Sequence, residues 1–135
     1  MAATPTPAPS PTGVAGALAF VHSYEDALIA GNYPTAWAML GSGSQEAGWG
    51  TLTQYTSERK AFMTSAGKTY SAVANPSGVA SISDWLSGTG FAPSIDVAHA
   101  VLVQVTWTAL ANNNAGMEMW VVNPIAGGWA LYEVR

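Results

Sequence analysis

Ala98-His-Ala-Val-Leu-Val-Gln-Val-Thr-Trp-Thr-Ala-Leu110 is the stretch on which the fold turns. Its odd positions are His99, Val101, Val103, Val105, Trp107 and Ala109, and its even ones include Leu102, Gln104, Thr106 and Thr108. Alternation with period two marks a half-buried strand and assigns the odd set to the interior. Asn112-Asn-Asn114 then predicts a hairpin loop, Met117 to Val122 a returning strand, Asn123 to Gly128 a second turn, and Trp129 to Val134 a last strand. Together they make an antiparallel meander. Setting Trp107 opposite Met119 brings Val105 opposite Val121 and keeps the inner face continuous. The same register puts Thr106 opposite Trp120 and Thr108 opposite Glu118 on the outer face. Trp120, Trp129 and Leu131 then lie where the chain's own helices do not reach.

Upstream, Lys68 to Ala74 reads as a first strand, closed by the turn signal Asn75-Pro-Ser-Gly78, and Val79 to Leu86 as a second. Before Gly67 the period is helical. Val14, Leu18, Val21, Tyr24 and Leu28 recur at steps of three and four, with Ala17, Phe20 and Ala27 widening the stripe. Gly31 and Asn32 suit its C-terminus. Pro34 suits the first turn of a short second helix carrying Trp37 and Leu40. Thr51 and Gln54 have the spacing of a capping box for a third helix to about Ala66, with Leu52, Tyr55, Phe62 and Ala66 on one face. The expected architecture is α+β, three N-terminal helices packed on an antiparallel sheet.

The 135 residues suit one domain, and 49% are apolar. Only 9% are charged, against about 25% in typical domains. A net charge of −4 argues against nucleic acid and anionic membrane, which both require a basic surface. No apolar run approaches the ~20 residues of a membrane span. With no cysteine and only His22 and His99, thiol chemistry is excluded and a metal centre is not expected. No cofactor is expected, and no Gly-rich phosphate cradle or nucleophile elbow occurs. Six Trp among so few charges imply a large core, a covered surface, or both.

Residues 1–12 form a separate Pro/Thr-rich tail, Ala2-Ala-Thr-Pro-Thr-Pro-Ala-Pro-Ser-Pro-Thr12, with residues 13–135 as the domain. Proline at every second position favours extended polyproline-like chain, and no apolar group there serves a core. Such spacers resemble the stretch after a cleaved signal or lipidation site in bacterial exported proteins, so the expected location is extracytoplasmic, with a native cytosolic tail as the alternative reading.

Two segments carry a family resemblance. Ser23-Tyr-Glu-Asp-Ala-Leu-Ile-Ala-Gly-Asn-Tyr-Pro-Thr-Ala-Trp-Ala-Met-Leu40 resembles the first-helix signature of the NTF2-like superfamily. Met119-Trp-Val-Val-Asn-Pro-Ile-Ala-Gly-Gly-Trp-Ala-Leu-Tyr-Glu-Val134 resembles its last hairpin, where Gly-Gly-Trp opens the final strand. The order of elements agrees over about Val14 to Arg135. The resemblance implies a cone: three helices on a strongly bent sheet, with a pocket between them. Phe20, Tyr24, Trp37, Tyr55, His99, Trp107 and Met119 are the expected lining. It also implies dimerisation through the outer sheet face, here Thr106, Glu118, Trp120, Trp129 and Leu131.

Tyr24 stands where ketosteroid isomerases of that superfamily carry an oxyanion-binding tyrosine. That chemistry needs a carboxylate base as well, and the segment after the second helix offers only Glu46. The ordinary alternative is a core aromatic with a hydrogen-bonded hydroxyl. His99 follows Asp96 by three, a spacing that puts the two on opposite faces of a strand unless a bulge intervenes, so a satisfied, partly buried His is favoured over an acid/base pair. His22 and Asp26 are expected to form a solvated i,i+4 pair. Glu58-Arg-Lys60 reads as a solvated charged face, and Asp84-Trp85 and Glu118 have no assignable partner. Three functions follow in order: a non-catalytic exported binding or assembly domain that dimerises; a small-molecule isomerase, dehydratase or cyclase using Tyr24 and His99; and a carrier of a small apolar ligand.

Overall fold

In the computed structural model, residues 13–41, 50–66, 69–74, 82, 95–96, 98–107 and 116–133 are described. Three helices precede four strands: α1 Gly13–Ile29, α2 Tyr33–Met39, α3 Leu52–Ala66, β1 Tyr70–Ala74, β2 Val101–Trp107, β3 Gly116–Ile125 and β4 Gly128–Glu133. The strands form one antiparallel sheet in the order β1-β2-β3-β4, open rather than closed. The α+β architecture is therefore as expected. The tail at 1–12, the turn at 75–78, the loop at 112–114, Glu46 and Asp84-Trp85 lie outside the described residues. So does most of the strand expected over 79–86, of which Ile82 is described and is helical.

The helix ends follow from local chemistry. At the end of α1 the Asn32 N–H donates to the Ala27 carbonyl (2.8 Å) and the Gly31 N–H to Leu28 (3.0 Å), a Schellman motif. Gly31 sits at φ 75° to make it, a conformation only a residue without Cβ adopts freely. At the start of α3 the capping box forms as its spacing predicts. The Gln54 N–H donates to Thr51 Oγ1 and the Thr51 N–H to Gln54 Oε1, both at 3.2 Å.

The second turn is tighter than expected. Asn123, Pro124 and Ile125 continue β3, leaving Ala126-Gly127 as the link to β4. Pro124 lies beyond the last β2–β3 pair, Val101 with Val122, so on that side its missing N–H costs no ladder bond.

The β2–β3 register corrects the expected one. Trp107 pairs with Gly116, Val105 with Glu118, Val103 with Trp120 and Leu102 with Val121. This is three residues away from a Trp107–Met119 pairing, and an odd displacement exchanges the two faces of β3. Trp120 and Glu118 thus join Val103, Val105 and Trp107 on the helix-facing side, and Met119 moves to the opposite face. Leu131, paired with Val122, also lies inward and is fully buried, and Trp129 packs half-buried against the same cluster.

The main core combines Ala17, Val21, Tyr24 and Leu28 of α1, Ala36 of α2, Tyr55 of α3 and the inward side chains of β2, β3 and β4. Leu52 is more exposed than its expected place on the packed face of α3. A second cluster, Ile82, Ala100, Leu102, Val121, Ala130 and Tyr132, covers one end of the other sheet face. Gly41 packs so closely on the Tyr132 ring that a Cβ there would overlap it, while its N–H donates to the Leu131 carbonyl (2.8 Å).

The register makes a sharp contrast measurable. Trp120→Ala should cost about 3–5 kcal/mol, whereas Met117→Ala, on the exposed face, should stay within about 0.5 kcal/mol of the parent. Urea unfolding of both variants would reveal the reversed order if Trp120 faced outward.

Candidate functional site

The space between helices and sheet is filled by aromatic rings that enclose a charged cluster. Tyr24, Tyr55, Trp107 and Trp120 are all fully buried. Tyr24 meets Trp120 edge-on at 4.9 Å between centroids, Trp107 meets Phe62 edge-on at 6.0 Å, and Trp37 lies tilted on Tyr55 at 5.2 Å. Such contacts add about 0.5–1.5 kcal/mol each beyond the area they bury. The hydroxyls of Tyr24 and Tyr55 bond each other at 2.6 Å. Burial is the main cause that pushes both phenols well above their usual pKa, so neither supplies a ready phenolate.

Arg59 and Glu118 form an ion pair inside this shell. Arg59 Nη1 donates to Glu118 Oε1 at 2.6 Å and Nη2 to Oε2 at 3.2 Å, a two-pronged geometry suited to a planar guanidinium. The Trp107 indole N–H donates to the same Oε2 at 2.8 Å. The Arg59 guanidinium also stacks over Phe62, 4.6 Å from the ring centroid. Glu25 of α1 is fully buried beside this pair; Glu118 and the Trp120 indole N–H approach its carboxyl, but neither oxygen has a partner in hydrogen-bond geometry. Burial first, and then the Glu118 charge, drive its pKa well above the usual carboxylate range, while Arg59 pulls the other way.

The structure divides the expected pocket residues. Tyr24, Tyr55 and Trp107 come together in the interior, with Phe20 and Trp37 half-buried against them. Met119 lies on the opposite sheet face, packed against the second cluster. His99 is not on a strand: it sits in the turn before β2 with three-quarters of its side chain exposed. There its Nδ1 reaches Asp96 Oδ2 at 2.8 Å, because the turn, unlike a strand, brings residues three apart together. The Asp96 carbonyl accepts the His99 and Ala100 N–H groups, and Asn123 Oδ1 accepts the Asp96 N–H at 2.8 Å. Tyr24 and His99 therefore do not share a site.

Of the expected interface set, Thr106 is half-buried on the outer face, while Glu118, Trp120, Trp129 and Leu131 face the helices. His22 and Asp26 are exposed as expected, but the Tyr70 hydroxyl joins them. It lies 2.9 Å from His22 Nδ1 and 3.0 Å from Asp26 Oδ1.

Glu25 and Arg59 are the residues that sequence reasoning missed. Both had a signal. Glu25 completes the Val21–Leu28 spacing, and Arg59 falls midway between Tyr55 and Phe62 on the packed face of α3. The charge of each, set in a polar run, argued for solvent instead.

Breaking the ion pair should be severe. Glu118→Ala should cost about 3–5 kcal/mol because it removes the carboxylate that pairs with a buried guanidinium. Tyr24→Phe, which removes the Tyr24–Tyr55 hydroxyl bond, should cost about 0.5–1.5 kcal/mol. Thermal and urea unfolding check both; a Glu118→Ala loss below that of Tyr24→Phe would contradict the assignment.

No family model, no curated protein and no solved structure matches this chain.

Proposed function

We propose that the chain is an exported NTF2-like domain that acts by binding and assembly rather than catalysis, pairing with a second copy through the exposed part of its outer sheet face. The observation that carries this reading is the composition of that face. Across three strands, Val73, Gln104 and Met119 form one row and Ser71, Thr106 and Met117 the next. The patch holds no charge, and Val73 and Met117 are 56% and 60% exposed. Uncharged, Met-containing sheet surface of this kind gains by being covered.

The filled interior supports the non-catalytic part. Four fully buried rings and an ion pair occupy the place where a substrate or apolar ligand would sit in a cone. The two groups an isomerase or dehydratase would need, Tyr24 and His99, lie one sealed in the core and the other exposed on a turn. Export rests on the Pro/Thr-rich stretch at residues 2–12.

Sedimentation velocity at rising concentration tests the pairing. The expected result is a concentration-dependent dimer, and Val73→Lys with Met117→Lys should give a monomer of unchanged thermal stability. A strict monomer at high concentration for the parent protein, or a dimer unaffected by both lysines, overturns it.

A further inference from the structure

Among the described residues, charge counting inside the helix–sheet junction leaves one carboxyl over. Glu25 and Glu118 face a single guanidinium, and all three side chains are buried. Both Nη groups of Arg59 and the Trp107 indole N–H go to Glu118. Glu25, beside the pair on α1, receives none of these three donors; Glu118 and the Trp120 indole N–H approach its carboxyl, but neither buried oxygen has a partner in hydrogen-bond geometry. A bare carboxylate in such surroundings is far less stable than the neutral acid.

We propose that Glu25 is held as a neutral carboxylic acid in the folded domain and that its proton acts as a lock: its loss sets a second negative charge beside Glu118 and loosens α1 from the sheet. The groups around Glu25 make it the one that titrates. Tyr24 on its own helix and Tyr55 on α3 stay neutral because burial holds their pKa values high. Arg59 on α3 stays charged, and Glu118 on β3 is paired with it. Tyr70 of β1 also feels the Glu25 charge, and its phenol too is pushed up, chiefly by burial. β2 contributes Trp107, which does not titrate. The titratable residues of α2 and β4 are Tyr33, Tyr132 and Glu133, while His22 and Asp26 of α1 and Glu58 and Lys60 of α3 point to solvent.

The direction of the pH effect follows. The folded domain binds this proton more tightly than the unfolded chain does, whose carboxyl titrates near 4.5. The lock is therefore fully closed below that value. Its contribution falls as pH rises toward the folded-state pKa and is gone above it, by up to about tenfold in the folding equilibrium per pH unit.

Urea-unfolding titrations from about pH 5 to about pH 9 on the parent protein and Glu25→Gln test the proposal. Gln copies the neutral acid without its proton. The expected result is a folding equilibrium that weakens with pH in the parent, with a flatter profile and greater stability at the alkaline end in Glu25→Gln. Parallel profiles for the two proteins would overturn it. A second measurement needs no variant to fold: infrared spectra of the parent at neutral pH should show the carbonyl stretch of a protonated carboxyl, which moves on deuteration. A neutral-pH spectrum without that band would sink the proposal.

Discussion

The ion pair between Arg59 and Glu118 constrains the rest of the molecule. It joins the middle of the third helix to the first part of the third strand, and in doing so requires Glu118 to face inward. Buried charges on their own repay little, since the loss of hydration offsets most of their attraction. What the pair does strongly is penalise any other arrangement. Sliding β3 by one residue would carry Glu118 to the outer face, bring Met119 inward, and take the carboxylate away from the buried guanidinium. The two-pronged bond and the Trp107 N–H thus act on strand register, while the burial of Trp120 and Leu131 supplies the apolar stabilisation that the same register makes available.

This explains which parts of the structure were legible in the sequence. Helix ends were, because their signals are local: Gly31-Asn32 and Thr51–Gln54 satisfy backbone groups within a few residues, whatever packs on the helix later. The inward set of β2 was legible too, since Val101, Val103, Val105 and Trp107 alternate within one strand. The pairing of β2 with β3 was not. Both faces of β3 carry large apolar residues, Trp120 and Val122 on one and Met117, Met119 and Val121 on the other, so hydrophobicity alone scarcely ranks two registers that differ by an odd step. The deciding residue was the charged one. Glu118 reads as solvent-facing until its partner on α3 is known, and Arg59 reads so until Glu118 is.

The same reasoning bears on the candidate site. Tyr24, Tyr55 and Trp107 were recognisable as interior aromatics from spacing alone, and their convergence follows from two helices crossing one sheet face. His99 was misplaced because the apparent strand was read three residues too long at its start. The structure begins β2 at Val101, and before it the His99 and Ala100 N–H groups both donate to the Asp96 carbonyl, a turn and not a strand. A His three residues from an Asp has opposite meanings in the two backbones.

The contact of Leu40 and Gly41 with Leu131 has a consequence for the sheet's rim. Leu40 forms a parallel bridge to Leu131, and the Gly41 N–H takes the Leu131 carbonyl, so the chain leaving α2 occupies backbone positions along the free side of β4. Among the described residues no strand pairs with the free side of β1. Among the described residues the two rims therefore differ: the chain leaving α2 occupies part of the β4 rim, and no described strand lies along the β1 rim. Edge-to-edge growth of the sheet, the usual first step of strand-mediated aggregation, is thereby hindered at the β4 rim, where the chain's own backbone already holds the place a neighbouring strand would take.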